Sequence, residues 1–157
     1  MNEVNRILKL LEVSFDSEGW LFPGMNDSLI GVTCEAATLR PIVAAHNIIE
    51  IVQHVARWED TAFKWLTGEK PELIYRPPEV WDWSEINEGS EEQWSAAVKE
   101  IRANHDRLVA AVAQLDDRDL SRRVPKGDYT VTELLHAIIQ HNLYHAGQIA
   151  LLKKAAR

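Results

Sequence analysis

The chain is short of cysteine, of basic charge and of long apolar runs, and each shortage removes a class of protein. Its 157 residues include a single cysteine, Cys34. No internal disulfide can form, so nothing implies an oxidising compartment. A thiolate-rich zinc site is excluded too, and any metal must be held by His, Asp or Glu. Acidic residues outnumber basic ones 24 to 17, for a net charge of −7. A general nucleic-acid binder needs a basic surface to neutralise phosphates. Here Lys and Arg are scattered, and the densest group, Arg122, Arg123 and Lys126, falls in an expected loop. No apolar stretch approaches the roughly 20 residues that span a bilayer. The opening Met-Asn-Glu-Val-Asn-Arg is polar and periodic, unlike a signal peptide. These absences predict a soluble, cytoplasmic protein with neither membrane nor nucleic acid as partner.

Strand signals are missing as well. There are no alternating β-branched runs bounded by hairpin turns, and no internal repeat. What is present is an ordinary globular composition, 46% apolar and 26% charged, at a length that suits one domain over residues 1–157. Six tryptophans are many for this length: Trp20, Trp58, Trp65, Trp81, Trp83 and Trp94. Trp58, Trp65 and Trp94 lie within helical patterns and read as core mass.

Four long helices follow from periodicity. Val4, Ile7, Leu8, Leu11 and Phe15 recur at three- and four-residue steps, predicting a helix over 2–15. Residues 16–46 contain Gly19, Pro23, Gly24, Gly31 and Pro41, with short helical turns expected at Asn26–Ile30 and Cys34–Leu39. Asn47 and Glu50 form a capping box for a second helix, which Gly68 ends in a left-handed residue. After the proline-rich 69–89 connection, Ser90 and Gln93 cap a third helix running to about Asp116-Asp117. Thr130 and Glu133 cap the fourth, whose inward stripe reads Leu134, Ile138, His141, His145, Gln148 and Leu152. The fold class is all-α, a four-helix bundle with long connections after helices one and two.

Two histidines thus sit where the bundle would want leucine. His141 and His145 are four apart, so both rings share one helical face, one turn from each other. Burying two imidazoles side by side is costly unless both are satisfied, and one metal ion satisfies both. A third ligand must come from elsewhere. His54, at the edge of the second helix's apolar face, is best placed; His105, on the inward stripe of the third helix, competes with it. His136 turns away from the pair, and His46 precedes a helix cap where it can line a pocket mouth. Three imidazoles without a thiolate leave coordination positions open, as catalytic sites do, and suit zinc or nickel. Cys34 is not expected to act as a nucleophile, because the neighbouring Glu35 disfavours a thiolate. Glu59-Asp60 reads as a solvated, salt-bridged face.

Several stretches resemble the DinB family of damage-inducible four-helix-bundle proteins. They are Phe15-Asp16 with Gly19-Trp20, Thr33 to Ala37 with Arg40-Pro41, His46 through Trp58, Leu66 to Glu69 and, most specifically, His136 through Ile149. The resemblance implies a three-histidine metal site formed by His54, His141 and His145, preferring His54 over His105. Position 142 is often Asp in such proteins and is Asn142 here, which removes a charge beside the site. The family further implies an up-up-down-down helix order, a homodimer, and a small-molecule substrate such as a low-molecular-weight thiol of the mycothiol or bacillithiol kind. S-transferase or isomerase activity is the leading expectation. A metal-dependent hydrolase, a non-catalytic metal-binding stress-response protein and a DNA-associated damage-response protein are the alternatives, the last opposed by the acidic charge. Trp20, His46 and Tyr144 are expected to line the pocket.

Overall fold

The computed structural model describes residues 1–17, 21–69, 83–124 and 129–156. Among the described residues there are six helices: α1 (Glu3–Phe15), α2 (Met25–Leu29), α3 (Cys34–Thr38), α4 (Ile48–Thr67), α5 (Glu91–Val112) and α6 (Val131–Ala155). A 3₁₀ turn covers Asp119–Ser121. No strand forms among the described residues, where Arg123 and Thr130 make one isolated bridge.

The long helices start where side chains can satisfy the first orphan N–H groups. Asn47, Ser90 and Thr130 each accept from the N–H three residues on, and Glu50, Gln93 and Glu133 each return the bond to the cap's own N–H. Gly68 ends α4 at φ +80°, a conformation that costs other residues a Cβ clash. α5 stops at Val112, short of the expected Asp116-Asp117. Asp116 and Asp119 explain this, because the Asp116 carboxylate accepts from the Arg118 and Asp119 N–H groups while Asp119 accepts from the Asp116 N–H, bonds that compete with the helix.

Contacts fix the arrangement. α4 packs against α5 and α6, and α1 packs against the same two from the opposite corner. Residues 48–56 of α4 share a core with Trp94, Ala97 and Ile101 of α5 and with Ala146, Ile149 and Leu152 of α6. Ala62, Trp65 and Leu66 share another with Leu108, Val112 and the start of α6. α4 and α5 are therefore parallel, and α6 is antiparallel to both. Val4, Ile7 and Leu11 join the second core while Phe15 joins the first, so α1 runs with α6. The order is up-down-down-up, not the up-up-down-down expected from the resemblance. The physical reason lies in the first connection, which does not cross the bundle. α1 is shorter than α6, and α2 continues its corner, packing on α6. Lys153 Nζ ties that contact by donating to the carbonyls of Ser28 and Ile30. The chain between Gly68 and Ser90 instead joins opposite ends of the bundle.

The two apolar cores are separated by a polar layer to which all four long helices contribute: Ser14, Glu59, Asn104 with His105, and Asn142. The inward stripe of α6 is Leu135, Ile138, Asn142, His145, Ile149 and Leu152. Leu134, Ile138, His145 and Leu152 of the expected stripe are buried, while His141 and Gln148 stand at the edge of the core and yield the innermost places to Asn142 and Ile149.

A strap is tied to the start of α4 by a fully buried carboxylate. Glu50 Oε1 accepts from Ile86 N–H at 2.7 Å, and Asn47 Nδ2 donates to Ile86 O at 2.6 Å. Arg40 and His46 also bond Glu50. Burial pushes the Glu50 carboxyl up, but donors from Ile86, Arg40, Asn47 and His46 outweigh it and hold the group below its ordinary value of 4.5. A carboxyl lowered in the fold stabilises fully above its unfolded value and loses that contribution as pH falls through the folded value. The thermal stability of the native chain should thus fall as pH drops below 4.5, and Glu50→Gln should flatten that slope while lowering stability at pH 7.

Candidate metal centre

His54 on α4 and His141 and His145 on α6 converge at the edge of the polar layer. His141 Nε2 lies 2.8 Å from His54 Nε2 and 3.1 Å from His145 Nε2. The three ligand atoms all fall within 4.8 Å of one another. His54 and His145 are buried, and His141 is nearly so. Burial first, then the neighbouring His145 and His54, push the His141 pKa down to about 3, so its ring is neutral at pH 7.

Rings this close pose a proton-counting problem. His145 Nδ1 sits 2.6 Å from Gln148 Oε1, and Gln148 Nε2 donates to Tyr144 Oη. With the amide in this orientation the His145 proton is on Nδ1, leaving a lone pair on Nε2. A proton on His141 Nε2 would then have to serve both close contacts, and His141 Nδ1, buried and without a partner among the described residues, would hold an orphaned lone pair. A cation held by the three imidazoles would remove the conflict, because each ring could then turn a lone pair to it and keep its proton on the other nitrogen. The donor set fits a divalent ion. Losing the Gln148 acceptor should lower metal affinity roughly 10–100-fold, measured for Gln148→Leu by competition with a chromophoric chelator.

The remaining histidines are otherwise employed. His105 Nδ1 bonds Glu59 Oε1 at 3.0 Å, and its ring stacks on Phe15, so it stands apart from the cluster. His136 is half-buried and likewise outside it. His46 stacks on Trp83 at 3.6 Å, and Trp83 stacks in turn on His54 at 3.9 Å, so one indole is sandwiched between two imidazoles. Glu59 corrects the expectation of a solvated face, being fully buried. It lies four residues after Val55 and three before Ala62, and that spacing was the available signal. Asp60 does pair at the surface, with Lys64 and Arg107. Asn142 turns away from the cluster and donates from Nδ2 to Glu59 Oε1 at 2.9 Å. An Asp there would set carboxylate against carboxylate, so the amide suits this chain's Glu59. Cys34 is buried with its thiol donating to Gly89 O. Trp20 lies outside the described residues.

Two clefts reach the cluster from different sides and share no lining residue. One, of about 440 Å³, is bounded by Ile42, His46, Trp83, Tyr144, His145 and Gln148 among others, so His46 and Tyr144 do line a pocket. The second, of about 410 Å³, lies between Trp58, Trp65, Tyr129, Leu134, Ile138 and His141.

An all-helical bundle carrying a buried three-histidine cluster defines the class of protein. The family model of the DinB superfamily matches residues 26–149, and the chain belongs to that superfamily. The fold is also similar to that of a solved conserved protein from Enterococcus faecalis, with a TM-score of 0.73 at 15% identity, covering 99% of this chain and 98% of that one. No curated protein matches. No helix among the described residues is long and apolar enough to cross a membrane.

Proposed function

We propose that His54, His141 and His145 hold a divalent ion, zinc or nickel, and that the protein transfers a low-molecular-weight thiol to an electrophile or isomerises a thiol adduct. The observation that carries this reading is the pair of clefts, one lined by His145 and the other by His141, which suits two substrates converging on one donor set. When bound, the ion supplies a positive charge that holds a thiol as its thiolate. The chain's own residues do the rest. Gln148, braced by Tyr144, fixes the tautomer of His145. Trp83 packs flat on His54 and keeps water from that ring.

The test is metal-loaded protein against a panel of low-molecular-weight thiols and electrophiles, following thiol consumption. Turnover that disappears with chelator and returns with metal is expected. No thiol consumed anywhere in the panel, together with a large rise in unfolding temperature on adding metal, would favour a non-catalytic metal-binding role instead.

A further inference from the structure

A residue lining the second cleft carries a buried donor with no acceptor among the described residues. Trp65 is 5% exposed, lines the cleft, and its indole Nε1–H has no hydrogen-bond partner among the described residues. Buried N–H groups in native proteins are nearly always paired, and an orphan calls for a ligand or a water. At the other end His141 Nδ1 is also buried and unpartnered. Both atoms belong to residues that line the same groove.

The groove follows two helices. Trp58 to Trp65 on α4 and Leu134 to His141 on α6 each span seven residues, or about 10 Å of helix. Ala137 is exposed midway along the α6 side, where its small side chain leaves the groove open. The walls between are aromatic and aliphatic. Among the described residues no cationic side chain lines the groove, and the one carboxylate, Glu133, is held at the rim by the Thr130 N–H and hydroxyl. Along the stretch away from His141 an anion would meet no counter-charge from these residues, and a cation would be stripped of water against apolar walls.

We propose that this groove binds an uncharged, elongated, largely apolar molecule with a carbonyl-type acceptor at one end. The acceptor takes the Trp65 indole N–H, the body lies over Ala137 and Ile138 against Trp58, and the other end rests beside His141. Placing the reacting end at His141 rests on the transfer reading above; binding at Trp65 does not.

The test uses prodan, an uncharged and elongated naphthyl ketone whose emission shifts on leaving water, beside the same dimethylaminonaphthalene lacking the ketone. Both are titrated into the whole chain by fluorescence, in chelator and again with zinc. Saturable binding of prodan at one site per chain is expected. Filling the groove with Ala137→Phe, or more conservatively with Ala137→Leu, should weaken it roughly tenfold or more. Trp65→Phe keeps the bulk and removes the donor. It should weaken prodan about fivefold, the worth of one neutral hydrogen bond, and leave the ketone-free probe unchanged. Three results overturn the proposal: no saturable binding, unchanged affinity in both Ala137 variants, or an equal effect of Trp65→Phe on the two probes. The last would mean that the indole meets only water. Because the chelator arm reads the groove without metal, failure of the metal reading and failure of this one are distinguishable.

Discussion

His141→Ala protein should emerge from equilibrium dialysis against zinc or nickel without stoichiometric metal, and so should His54→Ala and His145→Ala. Outer-shell partners are worth about 10–100-fold in affinity, so a lost ligand should exceed the upper end of that range. His141 is the strongest case, since its Nε2 lies within 3.1 Å of both other ring nitrogens. Elemental analysis of the dialysed proteins reads the result directly. His136→Ala should bind as the native chain does, because His136 stands outside the cluster. His105→Ala should also keep its metal, because its ring is committed to Glu59 and Phe15. Full occupancy in all three single variants would remove the cluster from consideration.

Glu59→Ala should cause the largest loss of stability among single changes away from the histidine cluster. The carboxylate is fully buried and accepts from Asn142 Nδ2 while bonding His105 Nδ1. Truncation would leave both partners buried without it, and breaking such a pair costs about 3–5 kcal/mol. Whole-domain stabilities are about 5–15 kcal/mol, so this is a large share. At this size each kcal/mol moves Tm by roughly 2–4 °C, giving a fall of roughly 6–20 °C. Calorimetry of apo protein measures it without interference from metal. Glu59→Gln should recover part of the loss, because an amide oxygen can still accept one of the two bonds. A Tm within about 2 °C of native for Glu59→Ala would mean that the layer contributes register rather than stability.

Helices and their starts were legible because they are local. Asn47 with Glu50, Ser90 with Gln93 and Thr130 with Glu133 each announce a helix within four residues, and each capping box is present. The histidines brought together were also those expected: a four-residue step pairs His141 with His145, and the family resemblance chose His54 as their partner. Helix direction was not legible. It depends on which end of the bundle the 16–47 connection returns to, and on the short α2 standing in for the missing height of α1, neither of which leaves a periodic trace. The burial of Glu59 is written in its spacing from Val55 and Ala62 but masked by its charge. Asn142 follows His141 in sequence yet faces the core and Glu59, because one step along a helix turns a side chain by about 100°. Trp83 could not be placed from sequence at all, since a residue outside any helix carries no face.

That indole gives the protein a built-in optical probe. Trp83 lies flat on His54 at 3.9 Å, and Trp58 meets the same ring edge-on at 6.5 Å. Any ion held by His54 is thus one imidazole away from two light-emitting rings. Zinc, with its filled d shell and no redox chemistry, offers no quenching pathway, whereas nickel or copper would drain the excited state. Were an ion held there, zinc would leave the native emission undimmed and nickel or copper would quench it, so a pair of spectra of unlabelled protein, taken before and after chelation, would separate the two kinds of ion.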